Sequence, residues 1–137
     1  HTNAFKINED VVVPVSRMAE LVGGLEELAG ETGITIVSFG HAGNGNIHVN
    51  LLVDPDDANQ MAAADPCLDA VFDLVLALDG SLSGEHGIGI AKKDYLARQI
   101  GAGGVNVMRR IKHSFDPHGV LNPGKIFHDE ATEEKRG

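Results

Sequence analysis

The chain predicts an α+β fold: a ferredoxin-like βαββαβ antiparallel sheet with its helices on one face, followed by C-terminal helices. Three observations lead there. Asn46 to Val53 has a two-residue period, with Ile47, Val49, Leu51 and Val53 on one face and Asn46, His48 and Asn50 on the other. Two apolar stripes at helical spacing lie on either side of that segment in the sequence. Short β-branched or apolar runs, bounded by glycine and proline, stand before, between and after those stripes.

Taken in order, Asp10-Val11-Val12-Val13 is a strand that stops at Pro14, where the backbone donor is missing. Ser16 can cap a helix whose buried stripe is Val15, Met18, Leu21, Val22, Leu25, Leu28 and Ala29, ending between Gly30 and Gly33. Ile34 to Phe39 is a buried strand, and a glycine loop turns it into the strand Asn46 to Val53. Asp54-Pro55-Asp56-Asp57 is a turn, and Asp65-Pro66 starts the second helix, with Asp as cap and Pro at the first position. Leu68, Val71, Phe72, Val75 and Leu76 are its buried stripe, and Asp79-Gly80 leads to a last short strand near Ser81 to Ser83. Helices around Ile90 to Gln99 and Val105 to Phe115 follow, then turns at Pro117 and Pro123 and a polar tail, Asp129 to Gly137.

The 137 residues suffice for a single domain with a real core, with a ferredoxin-like unit over about 10–85, a helical segment over 86–128 and the tail over 129–137. A net charge of -9 without a basic patch argues against nucleic acid and anionic membrane surfaces. The apolar run Val71 to Leu78 contains Asp73 and is too short to span a bilayer, so the expectation is a cytoplasmic protein that is not transmembrane. Cys67, the only cysteine, rules out an internal disulfide; without a local histidine partner it reads as buried packing. The start at His1 within a polar stretch suggests a piece of something larger.

Chemistry concentrates in Gly40-His41-Ala42-Gly43-Asn44-Gly45-Asn46-Ile47-His48 and Gly84-Glu85-His86-Gly87-Ile88-Gly89. Imidazole and carboxylate are ligands for borderline divalent metals, and three protein ligands with an open position mark a working metal site. His41, His48 and Glu85 are the candidate ligands, since the hairpin folds the first histidine over the second and Glu85 follows a strand of the same sheet. The bland alternative is a set of loop and surface residues with no common task. Neither glycine stretch reads as a nucleotide cradle: the first lacks lysine and leads into a strand, and Gly87-Ile88-Gly89 lacks a third glycine. His113, His118 and His128 read as solvated residues, and Met18 and Met108 as core.

At these motifs the chain resembles the C-terminal region of the FAD-linked oxidase family, which includes D-lactate dehydrogenase, the D subunit of glycolate oxidase and D-2-hydroxyglutarate dehydrogenase. The matching segments are Lys6-Ile7-Asn8-Glu9-Asp10-Val11, Gly40 to His48, Gly80 to Gly89 and Leu121-Asn122-Pro123-Gly124-Lys125, in family order and over nearly the whole chain. Where this chain has Asn44 the family often has Asp, at a position that is not a metal ligand. The resemblance implies the C-terminal half of a substrate-facing cap domain. It implies a divalent metal, zinc or manganese, held by His41, His48 and Glu85. His86 is similar to the family's general base and Asn50 to a residue near the substrate; Asn46 and Asn122 resemble flavin-side contacts. FAD would be bound mainly by an N-terminal domain that is not in this chain, so the chain alone is expected to be inactive.

The implied reaction is oxidation of a small 2-hydroxy acid, with the metal as clamp and Lewis acid, His86 as proton acceptor and the flavin as hydride acceptor. The implied partners are the FAD-binding domain of the same protein and an electron-transfer subunit, the latter allowing a peripheral association with the inner membrane. Two other readings compete: a free-standing metallohydrolase, because two histidines and a glutamate are also a hydrolytic zinc set, and a non-catalytic ferredoxin-like binding module.

Overall fold

A computed structural model describes residues 4–41 and 43–128, with His41 described in its backbone only. Two compact units divide the chain, one ending at Glu85 and the other beginning at His86.

The first unit holds strand β1 (Phe5–Val12), helix α1 (Met18–Thr32), strands β2 (Thr35–His41) and β3 (Asn46–Val53), and helix α2 (Ala58–Ala77). The strands form an antiparallel sheet in the order β1-β3-β2. The last predicted strand is reduced to one antiparallel bridge: Val12 and Ser81 exchange both backbone hydrogen bonds, Val12 N–H donating at 3.0 Å and Ser81 N–H at 2.7 Å. Placed beside β1, that bridge completes the ferredoxin-like order in rudimentary form. The ladder stops there because Pro14 removes the donor on one side and the Ser83 N–H, next on the other, is directed to Ser81 Oγ.

The apolar face of β3 is buried as the alternation predicts, with Val49, Leu51 and Val53 fully enclosed. Leu21 and Leu25 of α1 and Ala64, Cys67, Val71, Phe72 and Val75 of α2 fill the core with Val11 and Ile34. The helices pack on each other and on the sheet. Val15 and Val22, expected on the buried stripe, are exposed. Cys67 is buried as expected; burial pushes its thiol up, and Thr32 Oγ1 donates to its sulfur at 3.8 Å.

Two helix starts differ from expectation. Ser16 falls inside a 3-10 turn, Val15–Arg17, and α1 begins after it without a side-chain cap. Helix α2 begins seven residues before Asp65: Asp57 accepts the N–H groups of Asn59 and Gln60 at 2.8 and 3.2 Å, and Pro66 lies inside the helix. Asp57 can end the preceding turn and satisfy free N–H groups together, whereas Pro66 removes only one interior hydrogen bond. The buried side of α2, from Ala64 through Cys67 and Val71 to Val75, continues past the proline.

The second unit contains helix α3 (Leu96–Phe115), preceded by turns over 89–95 rather than by a helix from Ile90. Gly101, at φ 70° and ψ 165°, breaks α3 into two segments, where the sequence predicts two separate helices. Val107, Ile111 and Phe115, one turn apart, leave an apolar stripe exposed. No helix among the described residues is long and apolar enough to cross a membrane.

The end of α3 is closed by Asp116. Its carboxylate accepts the N–H groups of Val120 and Leu121, both at 2.9 Å, and pairs with Lys112, whose ammonium also donates to the Leu121 carbonyl at 2.7 Å. The hydrogen bond from Lys112 holds the Asp116 carboxyl below the usual carboxylate range; burial opposes this, and the two backbone donors add to it. A depressed folded-state pKa contributes stability above the ordinary carboxylate range, and that stability is lost as pH falls through the depressed value. Amide protection of Val120 and Leu121 is therefore expected to persist into mildly acidic solution. In Asp116→Ala it is expected to be absent already at neutral pH, as hydrogen exchange followed by NMR would read.

Candidate functional site

The polar face of the sheet carries the site. Antiparallel pairing sets Asp10 of β1 and Phe39 of β2 on either side of His48 of β3, with Asn8 and Val37 beside Asn50 in the neighbouring row. Directly opposed residues share a face of the sheet, so these side chains form one surface. The Phe39 and His48 rings lie 5.2 Å apart, tilted by 31°. His48 is thereby held between an aromatic wall and a buried acid.

Glu85 reaches this face from the segment after the Ser81 bridge. Asp10 Oδ2 accepts the N–H groups of Gly84 at 2.7 Å and of Glu85 at 2.6 Å, and Asp10 itself is only 1% exposed. With its backbone held there, Glu85 Oε1 lies 3.7 Å from His48 Nε2. The His48 side chain is 18% exposed and that of Glu85 61%, so the pair opens to solvent from one side.

Two glycines make this approach feasible. A Cβ on Gly84 would lie 2.3 Å from Asn46 Oδ1, so any larger residue would have to displace the asparagine side chain. Gly45, at φ +73°, turns the β2–β3 hairpin, and a Cβ there would meet the Val13 carbonyl at 2.0 Å. In the same hairpin Asn44 Oδ1 accepts the Asn46 N–H at 3.1 Å. An aspartate at this position would accept the same bond.

The sequence-predicted residues fall into distinct groups. His48 and Glu85 are brought together. The His41 backbone pairs with Asn46, but its side chain lies outside the described residues. Asn46 and Asn50 are buried on the polar face, and among the described residues the side-chain oxygen of each has no hydrogen-bond donor. His86 is exposed and opens the second unit. Asn122, at φ 46°, lies in the turn after α3, where its carbonyl accepts the Lys125 N–H.

Among the described residues, no group of three His, Cys, Asp or Glu side chains is placed to hold a metal ion. The His48–Glu85 pair has the donor chemistry for two positions of such a site. Its 3.7 Å separation is close to the ~3.4 Å between two tetrahedral ligands of one zinc ion. Two buried amide oxygens without partners on the same face also suit a polar ligand, since such atoms are costly unless something satisfies them.

Asp10 was not among the expected site residues. Local sequence carries little signal for it: Asp10 follows Asn8 and Glu9 and precedes Val11, and an acid at such a strand position is as readily solvated as buried. In the second unit, His113, His118 and His128 line a cleft of about 390 Å³ with Arg109, Lys112 and Phe127. His113 and His118 are exposed, in keeping with the solvated reading, whereas His128 Nε2 is 2.6 Å from Asp94.

The family profile described as FAD linked oxidases, C-terminal domain, matches residues 1–126. The chain belongs to this family. It is 36% identical over 125 residues to the glycolate oxidase subunit GlcD of Bacillus subtilis, covering 91% of this chain and 27% of that protein. Against D-2-hydroxyglutarate dehydrogenase of Xanthomonas citri pv. viticola the identity is 41% over 130 residues, or 90% and 27% of the two chains. A mitochondrial D-lactate dehydrogenase [cytochrome] of Kluyveromyces lactis is 36% identical over 118 residues, or 86% and 20%. The chain thus spans about a quarter of the length of these curated relatives. A solved 4-ethylphenol oxidase of Gulosibacter chungangensis matches with a TM-score of 0.57 at 21% identity, covering 94% of this chain and 25% of that one, which establishes a shared fold. It corresponds to the C-terminal domain of the FAD linked oxidases that it matches.

Proposed function

We propose that this domain is the C-terminal half of the substrate-facing domain in an FAD-dependent 2-hydroxy acid dehydrogenase of the D-lactate, glycolate or D-2-hydroxyglutarate type. The observation that carries the reading is the convergence of His48 and Glu85 on a polar sheet face that also holds two unsatisfied amide oxygens. The names of the relatives supply the substrate class.

In this reading His41, His48 and Glu85 hold a divalent ion, zinc or manganese. When bound, the ion polarises the substrate hydroxyl and carboxylate, and FAD serves as hydride acceptor. The protein's own residues do the rest. His86 takes the hydroxyl proton on a ring nitrogen as the C–H bond breaks, so the alcohol becomes a carbonyl. Asn50 hydrogen-bonds the substrate, and its buried amide has the capacity for it. Asn46 and Asn122 are assigned flavin contacts on the family resemblance. The N-terminal FAD-binding domain of the same protein and an electron-transfer subunit complete the machinery. The exposed stripe on α3 supports a unit that works against further protein. A cytoplasmic placement, peripheral to a membrane through partners, belongs to this reading too.

The test is anaerobic mixing of the full-length flavoprotein with D-lactate, glycolate and D-2-hydroxyglutarate. Bleaching of the flavin absorbance by at least one of them is the expected result. A flavin that none of the three reduces would overturn the proposal.

A further inference from the structure

We propose that Asp10 is a positioning residue for the His48–Glu85 pair, and that its buried carboxylate sets where the Glu85 side chain stands. The inference rests on the metal-site reading above for its consequence, but the clamp itself is geometric. One oxygen of Asp10 takes two consecutive backbone donors, Gly84 N–H at 2.7 Å and Glu85 N–H at 2.6 Å, across a separation of 74 and 75 residues in sequence. The same residue is the direct cross-strand partner of His48. A single residue therefore ties both members of the pair to one frame: His48 through strand pairing of its backbone, Glu85 through the side-chain carboxylate.

The physical case is one of alternatives. Among the described residues the strand bridge to β1 is at Ser81, and Gly84 and Glu85 lie beyond it. A carboxylate that accepts backbone N–H groups makes charge-assisted hydrogen bonds, about twice as strong as neutral ones. At 1% exposure water does not compete for that carboxylate, so removing it leaves two N–H groups to find other partners. Gly84 adds a steric reason for a fixed path, because its Cα runs against the Asn46 side chain. A shift of the segment would move Glu85 away from His48 and leave the strand pairing intact.

The experiment compares Asp10→Asn and Asp10→Ala with the parent and with Glu85→Gln, all in the full-length protein. Two readouts are needed: amide exchange at Gly84 and Glu85, and affinity for Zn²⁺ or Mn²⁺ by competition with a chelator. Asp10→Asn is expected to speed exchange at both amides and to weaken metal affinity by about 10–100-fold, the usual range for a residue that orients a ligand. If Asp10→Ala does not fold, Asp10→Asn carries the test, because it is nearly isosteric yet replaces the charged double acceptor by a weaker neutral oxygen and a donating NH2. Unchanged exchange at both amides would overturn the clamp, whatever the metal does. Metal affinity unchanged in Asp10→Asn but lost in Glu85→Gln would overturn the positioning role and leave the metal site standing. Metal affinity unchanged in Glu85→Gln would instead remove the metal-site reading, and the exchange data alone would then decide the clamp.

Discussion

In the full-length enzyme His86→Asn is expected to lower kcat by about 10²–10⁴-fold, the loss that follows removal of a general base. The substitution removes the proton acceptor and keeps a polar side chain of moderate size. KM is expected to change little, because proton abstraction belongs to the transition state and not to ground-state binding. The acidic limb of the pH–rate profile is expected to disappear or move, since that limb reports the base in its protonated form. Metal content is expected to stay at the parental level. Steady-state kinetics across pH, with metal analysis of the same preparations, check all three outcomes. A variant that loses its metal would make His86 a ligand and place the base elsewhere.

Glu85→Gln is expected to give the opposite pattern. A neutral amide is a poorer ligand for a divalent ion than a carboxylate, so affinity is expected to fall at least as far as the ~10–100-fold typical of outer-shell changes. The side chain of Glu85 is 61% exposed, so its replacement disturbs no core packing and folding is expected to survive. Activity is expected to recover in part at high Zn²⁺ or Mn²⁺ concentration, a rescue unavailable to His86→Asn. Metal titration and activity against added metal read the difference. Equal metal affinity in Glu85→Gln and parent would exclude Glu85 from the ligand set.

The two variants separate adjacent residues because the chain changes partners there. Glu85 N–H is bound to Asp10 and its side chain faces His48, whereas His86 opens the second unit. In sequence the two residues are simply neighbours in a glycine-rich stretch. Ligand chemistry and family resemblance separate their tasks, and the structure adds the Asp10 anchor at the Glu85 backbone.

Local pattern made much of the first unit legible. The alternation from Asn46 to Val53 assigns each side chain to a face because strand geometry has a period of two, and burial of Val49, Leu51 and Val53 follows it. The stripe from Val71 to Val75 and the turn at Asp54 to Asp57 were equally readable, since each depends on residues a few positions apart. Helix starts were less so. Asp57 and Asp65 are both good caps by local chemistry, and the core-facing side of α2 decided in favour of the earlier one. The strand expected near Ser81 shrank to a bridge because Pro14 offers no donor on one side and a local hydroxyl, Ser81 Oγ, takes the Ser83 N–H on the other.

By itself, then, the sequence determined the fold class, the β3 faces and the choice of His48 and Glu85 as chemically suited donors. Those follow from periodicity and ligand type, both of which are local. Only the tertiary structure decided that Glu85 stands 3.7 Å from His48 and that Asp10 holds it there. Contacts across 37 and 75 residues depend on how strands register and on which buried charge meets which free N–H. No local pattern encodes that choice, because it is made by the energy of leaving a buried carboxylate or amide unpaired.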